Sequence, residues 1–274
     1  MEIKPFIKWV GGKAKCVDKL LTFAPRNYGT YYEPFVGSGI MLLNLKPSVA
    51  VIGDLNKELI STYEVFQDKK QYKAMVSLLR NYQSSNSKEF YDSVRKLDRI
   101  PDWDSYELYV HAGRFIYLTK TSFNGLYRTN SKGEFNAPYN NVPNIVIYQK
   151  QNLDAVRRYM SESEITIKWG DYQDTLKGVR TGDFVYLDPP PDKESCEYVD
   201  CTRMGFNRKE QERLAHTYDE MNRRGVRVMM TNSNTEYIRV RYSGYHIEQF
   251  QNRASVGNTG TRRHSIDEIV ITNY

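Results

Sequence analysis

An acid that closes an apolar run and is followed at once by three prolines is placed for chemistry. In DFVYLDPPP (183–191) the first six residues read as a buried strand whose last residue is Asp188. At the carboxyl edge of a parallel sheet such a residue faces the crevice where ligands bind. Pro189 and Pro190 stop the strand and hold the chain extended. Their carbonyls are expected to lack a sheet partner. A carboxylate beside a fixed carbonyl makes two acceptors at short range, as the amino group of a flat base requires. The competing reading is a plain strand-ending proline run.

Three more positions fit a nucleoside ligand. In EPFVGSG (33–39), Gly37 and Gly39 permit positive-φ turns and close backbone approach. The helix that follows offers unpaired N–H groups. No Gly-Lys-Ser/Thr follows, which excludes a Walker loop, and the incomplete glycine fingerprint argues against a dehydrogenase. Asp54 ends the next strand and could accept both hydroxyls of a ribose; otherwise it caps the helix starting near Asn56. In KWGDYQD (168–174), Asp171 is expected to close a third strand with Tyr172 next to it. An acid and a ring suit the amino group and face of an adenine; a simple turn is the alternative.

These groups need a scaffold. TYYEPFV (30–36) reads as a strand, SGIMLLNL (38–45) as a helix capped by Ser38, SVAVIGD (48–54) as a strand and KELISTYEVF (57–66) as a helix. That strand–helix–strand unit predicts a parallel sheet. From about Gln67 to Gln149 the chain turns rich in Tyr, Asn, Ser and Lys. Two helical patterns there precede the aperiodic stretch SFNGLYRTNSKGEFNAPYNNVPN (122–144), read as an ordered loop or small hairpin. Long ordered loops of this kind usually carry function. After Asn152 the α/β pattern returns. LDAVRRYM and RKEQERLAHTYDEMNRRG read as helices, and EITIKWGD, DFVYLD, VRVMMTNSN, YHIEQF and SIDEIVITNY as strands.

Composition sets the outer limits. The 274 residues carry 39 Lys and Arg against 33 Asp and Glu, a net charge of +6, and the pI is about 9.0. A basic surplus suits a polyanion, and 22 tyrosines offer faces that stack on bases. No apolar stretch is long enough to span a bilayer, and MEIKPFIKWVGGK lacks the apolar centre of a secretory signal. Cys16, Cys196 and Cys201 are an odd set without zinc spacing, which predicts a reduced, intracellular chain and no metal.

Four stretches, in this order, resemble the Dam-type DNA adenine methyltransferases: FIKWVGGK (6–13), YYEPFVGSG (31–39), FNGLYRTNSKGEFNAPY (123–139) and YLDPPP (186–191). The resemblance runs to DEIVITNY at the end of the chain. It implies methyl transfer from S-adenosylmethionine, leaving S-adenosylhomocysteine, to the amino nitrogen of adenine in GATC, with the base flipped out. It implies a three-layer, Rossmann-like α/β methyltransferase fold, with a mostly parallel sheet and an antiparallel last strand. Residues 1–66 and 150–274 would form the catalytic domain, and 67–149 an inserted, mainly helical target-recognition domain. Carried over by position, Trp9, Lys13, Glu33, Phe35, Gly37, Gly39, Asp54, Asp171, Tyr172 and Asp188 are expected around the cofactor. Asp188, Pro189, Pro190 and Pro191 match the catalytic motif. Phe123, Asn124, Leu126, Arg128, Asn130, Asn136, Pro138 and Tyr139 are expected on DNA. There Arg and Asn read bases, and Phe123 and Leu126 fill the gap left by the extruded one. Double-stranded DNA is the implied partner, met by a monomer or by a dimer on DNA. The implied location is the cytoplasm: nucleoid-associated for a bacterial protein, the host cell for a viral one.

Two departures matter. NNVPN (140–144) stands where the resemblance implies a more basic segment. Arg253, Arg262 and Arg263 would supply phosphate contacts from a late loop, which otherwise reads as solvated. More sharply, Pro191 stands where the family carries an aromatic residue that stacks on the flipped base. Three readings stay open: another aromatic such as Tyr198 or Phe206 takes the missing role, the site is weak or dead and the chain binds DNA without methylating it, or the residue at this one position is an introduced mutation.

Overall fold

The computed structural model describes residues 3–9, 11–142, 144–192, 205–253 and 265–274. Strands β1 (Tyr31–Glu33), β2 (Val49–Asp54), β3 (Glu164–Trp169), β4 (Phe184–Leu187), β5 (Arg227–Ser233), β6 (His246–Arg253) and β7 (Ser265–Thr272) form one sheet in the order β3-β2-β1-β4-β5-β7-β6. The first five are parallel, and β7 runs antiparallel between β5 and β6. The helices, in chain order, are α1 (Val17–Phe23), α2 (Ile40–Leu45), α3 (Lys57–Gln67), α4 (Lys69–Ser85), α5 (Lys88–Arg95), α6 (Leu108–Thr121), α7 (Lys150–Glu162), α8 (Tyr172–Thr175), α9 (Arg208–Arg223) and α10 (Glu236–Arg241).

The period of two along each strand splits the core into two layers. Tyr31, Ile52, Phe184, Tyr186 and Met229 pack on one face with α1, α2, α3 and α7. Tyr32, Val185, Leu187, Val228 and Met230 pack on the other with α8, α9 and α10. A central strand buried on both sides must be apolar throughout, and β4, Phe-Val-Tyr-Leu, is fully buried. The result is the three-layer α/β fold with a mostly parallel sheet. Strand order reverses between β1 and β4, which opens the crevice at their carboxyl ends.

Local chemistry sets the helix starts. Asn56 caps α3 by accepting from the Leu59 amide, and Asp68 caps α4 by accepting from the Lys70 and Gln71 amides. Ser38 is not the cap of α2. That helix begins after Gly39, which is left-handed at φ 66° and makes no side-chain cap bond. β3 ends at Trp169, so Asp171 does not close a strand; it caps α8 through the Gln173 amide. β4 ends at Leu187, one residue short of Asp188.

Between α3 and α7 lie three α-helices, where two were expected. Helix α6 is buried from Ala112 to Thr121 and shares the first apolar layer with the sheet. After it the chain forms a small hairpin, with antiparallel bridges Ser122–Tyr139 and Thr129–Phe135.

One buried cation ties this segment together. Arg114 of α6 is fully buried and pairs with Glu58 of α3 at 2.7 Å and Asp98 at 2.6 Å. It also donates to the carbonyls of Val94 and Arg95. The same carboxylates reach the hairpin: Asp98 accepts from the Phe135 amide at 2.6 Å, and Glu58 from the Tyr127 hydroxyl at 3.2 Å. Removing one partner of a buried pair strands the other charge, at about 3–5 kcal/mol. Arg114→Met is expected to lose stability on that scale in urea unfolding. A loss below about 1 kcal/mol would show that the network does not hold the segment.

Candidate active site

Asp188 sits where the strand order reverses. Its Oδ1 accepts from Thr231 Oγ1 at 2.6 Å and is 2.8 Å from Lys13 Nζ. Thr231 in turn meets the buried Tyr186 hydroxyl at 3.0 Å. Lys13 also lies 3.3 Å from Glu268 of β7 and donates to the Gly11 carbonyl at 3.0 Å. Burial works against the charge on Lys13, but Asp188 and Glu268 more than offset it and hold its pKa above the ordinary value. Lys13, expected beside a cofactor, also anchors Asp188. Asp188 Oδ2 has no hydrogen-bond partner among the described residues.

Next to it, β1 ends on Glu33, which is 2% exposed. Its Oε2 accepts from the Tyr31 hydroxyl at 2.9 Å and the Leu42 amide at 3.1 Å. Burial pushes this carboxyl up to about 8; the Tyr31 bond opposes the shift and the charge of Asp188 adds to it. Beyond Glu33 the chain turns through Gly37 and Gly39, at φ 45° and 66°. A Cβ on Gly37 would fall 2.7 Å from Trp9 Cδ1, and one on Gly39 2.5 Å from Tyr63 Oη. The Tyr63 hydroxyl donates to the Gly37 carbonyl at 2.9 Å. Asp54 closes this turn by accepting from the Gly37 amide at 3.1 Å, and it also takes the Asn56 amide at 3.0 Å. Asp54 therefore does brace the start of α3. Burial pushes its carboxyl up to about 6 against those two amides. A glycine turn without room for a Cβ, over a half-buried acid, fits the ribose and tail of a nucleoside cofactor.

A third group lies toward α9. Phe35 stacks on the buried Tyr172 at 5.2 Å and 28°. Phe206 meets Phe35 edge-on at 5.8 Å. Phe206 thus joins this cluster. Asp171 is held through both oxygens by Arg213, at 2.7 and 2.9 Å, and Arg213 covers the Tyr172 ring. An adenine amino group would share Asp171 with that guanidinium.

In the proline run, Pro191 is exposed. The Pro190 carbonyl, expected to lack a sheet partner, accepts instead from the Gln211 side chain of α9, Nε2 at 2.9 Å. Pro189 is buried, and its carbonyl has no partner among the described residues. Tyr198, Cys196, Cys201, Arg262 and Arg263 lie outside the described residues, and of Arg253 only the backbone at the end of β6 is described. Cys16 is buried and free. Among the described residues no group of His, Cys, Asp and Glu could hold a metal, and no helix is long and apolar enough to cross a membrane.

The hairpin candidates lie apart from these groups but join them through Trp9. That ring meets Tyr127 at 6.0 Å and Phe115 of α6 at 5.9 Å. Phe123 is 46% exposed, and its amide donates to the carbonyl of the exposed Pro138 at 2.7 Å. Asn124 is left-handed at φ 57°, and Leu126 is half-buried. Arg128 and Asn136 bond each other, Nε to Oδ1 at 2.8 Å. Asn130 caps the turn through the Lys132 and Glu134 amides. Tyr139 accepts from Asn86 at 3.2 Å and leans on Tyr91.

Sequence reasoning missed Thr231, Gln211 and Glu268; the first two sit in no recognisable motif, and Glu268 lies in the closing stretch DEIVITNY, where it drew no separate role. Lys120, in the last turn of α6, is 9% exposed. Burial, then the charge of Lys8, brings its pKa down to about 8.

A family model described as D12 class N6 adenine-specific DNA methyltransferase matches residues 9–256. The chain is 35% identical to the type II methyltransferase M1.LlaDCHI of Lactococcus lactis subsp. cremoris, over all of this chain and 96% of that protein. It is 33% identical to the type II methyltransferase M.MjaIII of Methanocaldococcus jannaschii, over the full length of both. It is 26% identical to the DNA adenine methylase of Escherichia coli, over 97% of this chain and 94% of that one.

Glu33 gives the site a pH signature. Its folded pKa of about 8 exceeds the ordinary 4.5, so the folded state keeps a proton that the unfolded state releases. The associated stability is full below about 4.5 and is lost as pH rises through about 8. Glu33→Gln is expected to match the parent most closely near pH 5 and to gain several degrees of melting temperature relative to it by about pH 9. A relative gain that shrinks with rising pH in calorimetry would contradict the buried, protonated carboxyl.

Proposed function

The chain belongs to the D12 class of N6 adenine-specific DNA methyltransferases, and we propose that it methylates the adenine of GATC in duplex DNA after flipping that base into the crevice. The family is S-adenosylmethionine-dependent. The observation that carries the reading is the bonding of Asp188: Lys13 and Thr231 hold one oxygen, and the other lacks a partner among the described residues. When bound, S-adenosylmethionine supplies a methyl group on a positively charged sulfur.

The amino nitrogen of adenine is a poor nucleophile because its lone pair is delocalised into the ring, and a duplex buries it. Asp188 Oδ2 and the Pro189 carbonyl would accept its two N–H bonds. That draws the nitrogen toward tetrahedral geometry and localises the lone pair. As the methyl transfers, the nitrogen gains positive charge. Asp188, already fixed in place, stabilises that charge without reorganising. Most of the acceleration then comes from orientation and fixed charge. Trp9, Glu33, Phe35, Gly37, Gly39, Asp54, Asp171 and Tyr172 are proposed to line the cofactor side.

Residues 67–149 are proposed as the target-recognition segment. Arg128 and Asn136 would exchange their mutual bond for base edges, and the exposed Phe123 would occupy the gap in the stack. Pro191 favours a second reading, a protein that binds cofactor and DNA with little turnover. Stacking on a base is worth roughly 1–3 kcal/mol, so its loss would slow the reaction on the order of 10- to 100-fold.

Transfer of labelled methyl to a GATC duplex, against a duplex lacking that site, tests these readings together. Asp188→Ala is expected to abolish transfer, and Pro191→Tyr to raise it by roughly tenfold or more. Equal labelling of both duplexes would remove the GATC assignment. Full activity in Asp188→Ala would remove the catalytic one.

A further inference from the structure

The run Asp188–Asp192 has no regular secondary structure, and three of its residues have no amide hydrogen. Such a segment cannot be fixed by its own backbone donors. Its carbonyls and the first amide after the prolines must be gripped from outside. Both are. The Pro190 carbonyl accepts from Gln211 Nε2 at 2.9 Å, and the Asp192 amide donates to Asn232 Oδ1 at 3.1 Å. The two side-chain amides then close on each other, Asn232 Nδ2 to Gln211 Oε1 at 3.1 Å. Gln211 is 1% exposed and Asn232 3%, so none of these bonds competes with bulk water.

The far end is pinned as well. Asp192 is buried; its carboxylate accepts from Thr235 at 2.7 Å and pairs with Arg208 at 2.6 Å, and its carbonyl accepts from Ser233 at 2.6 Å. A side-chain amide can donate to a carbonyl and accept from a second amide in one plane at any working pH. A carboxylate at 211 would face the Pro190 carbonyl with a second acceptor.

We propose that Gln211 and Asn232 form a positioning pair for methyl transfer: they turn the Pro190 carbonyl toward α9, so that the Pro189 carbonyl and Asp188 remain as the two acceptors for the target amino group. The inference rests on the methyltransferase reading above. Neither residue touches substrate; each acts through the backbone it holds. Displacing a reacting group by about 1 Å can lower a rate on the order of 100-fold, so a latch here governs turnover more than binding.

The experiment pairs kinetics with site-resolved hydrogen exchange at Asp192, the only amide hydrogen after Asp188 in the run. In the parent that amide is expected to be protected. Gln211→Glu is nearly isosteric, and its carboxyl, when protonated, can donate to the Pro190 carbonyl as the amide does. At about pH 9 the variant should lose protection at Asp192 and turn over roughly tenfold to a hundredfold more slowly. Its KM for cofactor should stay close to the parent value. Lowering the pH to about 6 should restore protection and narrow the kcat deficit, because burial raises a carboxyl pKa. The charged groups beside it, Asp192 and Arg208, already pair with each other. Arg208→Gln alters a half-exposed side chain and carries the test if Gln211→Glu does not fold. It should quicken exchange at Asp192 and reduce kcat severalfold. The proposal falls if the Asp192 amide is unprotected in the parent, if Gln211→Glu keeps parental kcat at pH 9 or stays slow at every pH, or if Arg208→Gln changes neither readout. A parent chain without methyl transfer would sink the functional reading, while exchange at Asp192 would still report on the latch.

Discussion

Lys13 has almost no contact with water, yet it carries a charge between one carboxylate just past the end of β4 and one within β7. Desolvating three ionic groups is expensive and is sustained only when each is held in good geometry. Lys13 meets that condition by bridging the end of β4 to β7, with a carbonyl from its own segment completing its bonds. The N-terminal segment, the carboxyl edge of β4 and the antiparallel strand are thereby joined at one point. Asp188 inherits its orientation from that junction, and Thr231 fixes the remaining degree of freedom.

Arg114 repeats the device at the other half of the molecule. It too is a fully buried cation between two carboxylates, and each of those carboxylates also accepts a hydrogen bond from the hairpin. The hairpin is thus held by backbone and hydroxyl bonds into a charged core, while Phe123 stays exposed near its base. Trp9 links the two halves. It packs over the glycine turn on one side and against Tyr127 and Phe115 on the other. A shift of the hairpin would be felt at the Gly37–Gly39 turn.

The sheet and the acids at its edge were readable from the chain because they obey local rules. Runs of alternating or continuous apolar residues marked the strands, and glycines marked the turn where a Cβ would collide. Asp54 and Asp188 stood out because an acid ending an apolar run has few structural uses. The rest depended on contacts far apart in sequence. Nothing local distinguishes Gln211 from its neighbours in α9, or Thr231 from its neighbours in β5. Their roles arise only when α9 and β5 meet the proline run. Ser38 misled because a serine before an apolar run normally caps a helix; here the left-handed Gly39 takes that place. Asp171 misled because Gly170, at φ 142°, ends the strand before the acid is reached.

The third proline changes the balance between rigidity and recognition in the catalytic run. Each proline fixes one φ angle and narrows the unfolded ensemble, so the extra ring favours the observed path of the chain. It also removes one more amide that might have anchored that path. The anchoring then falls on side chains: Gln211 and Asn232 from outside the run, and Asp192 at its end. What no backbone device can restore is the aromatic face that Pro191 lacks. In this chain the geometry of the acceptors is thus decoupled from the stacking of the base. A change at Pro191 should act on how long the base stays in the crevice, and a change at Gln211 on how well it is oriented there.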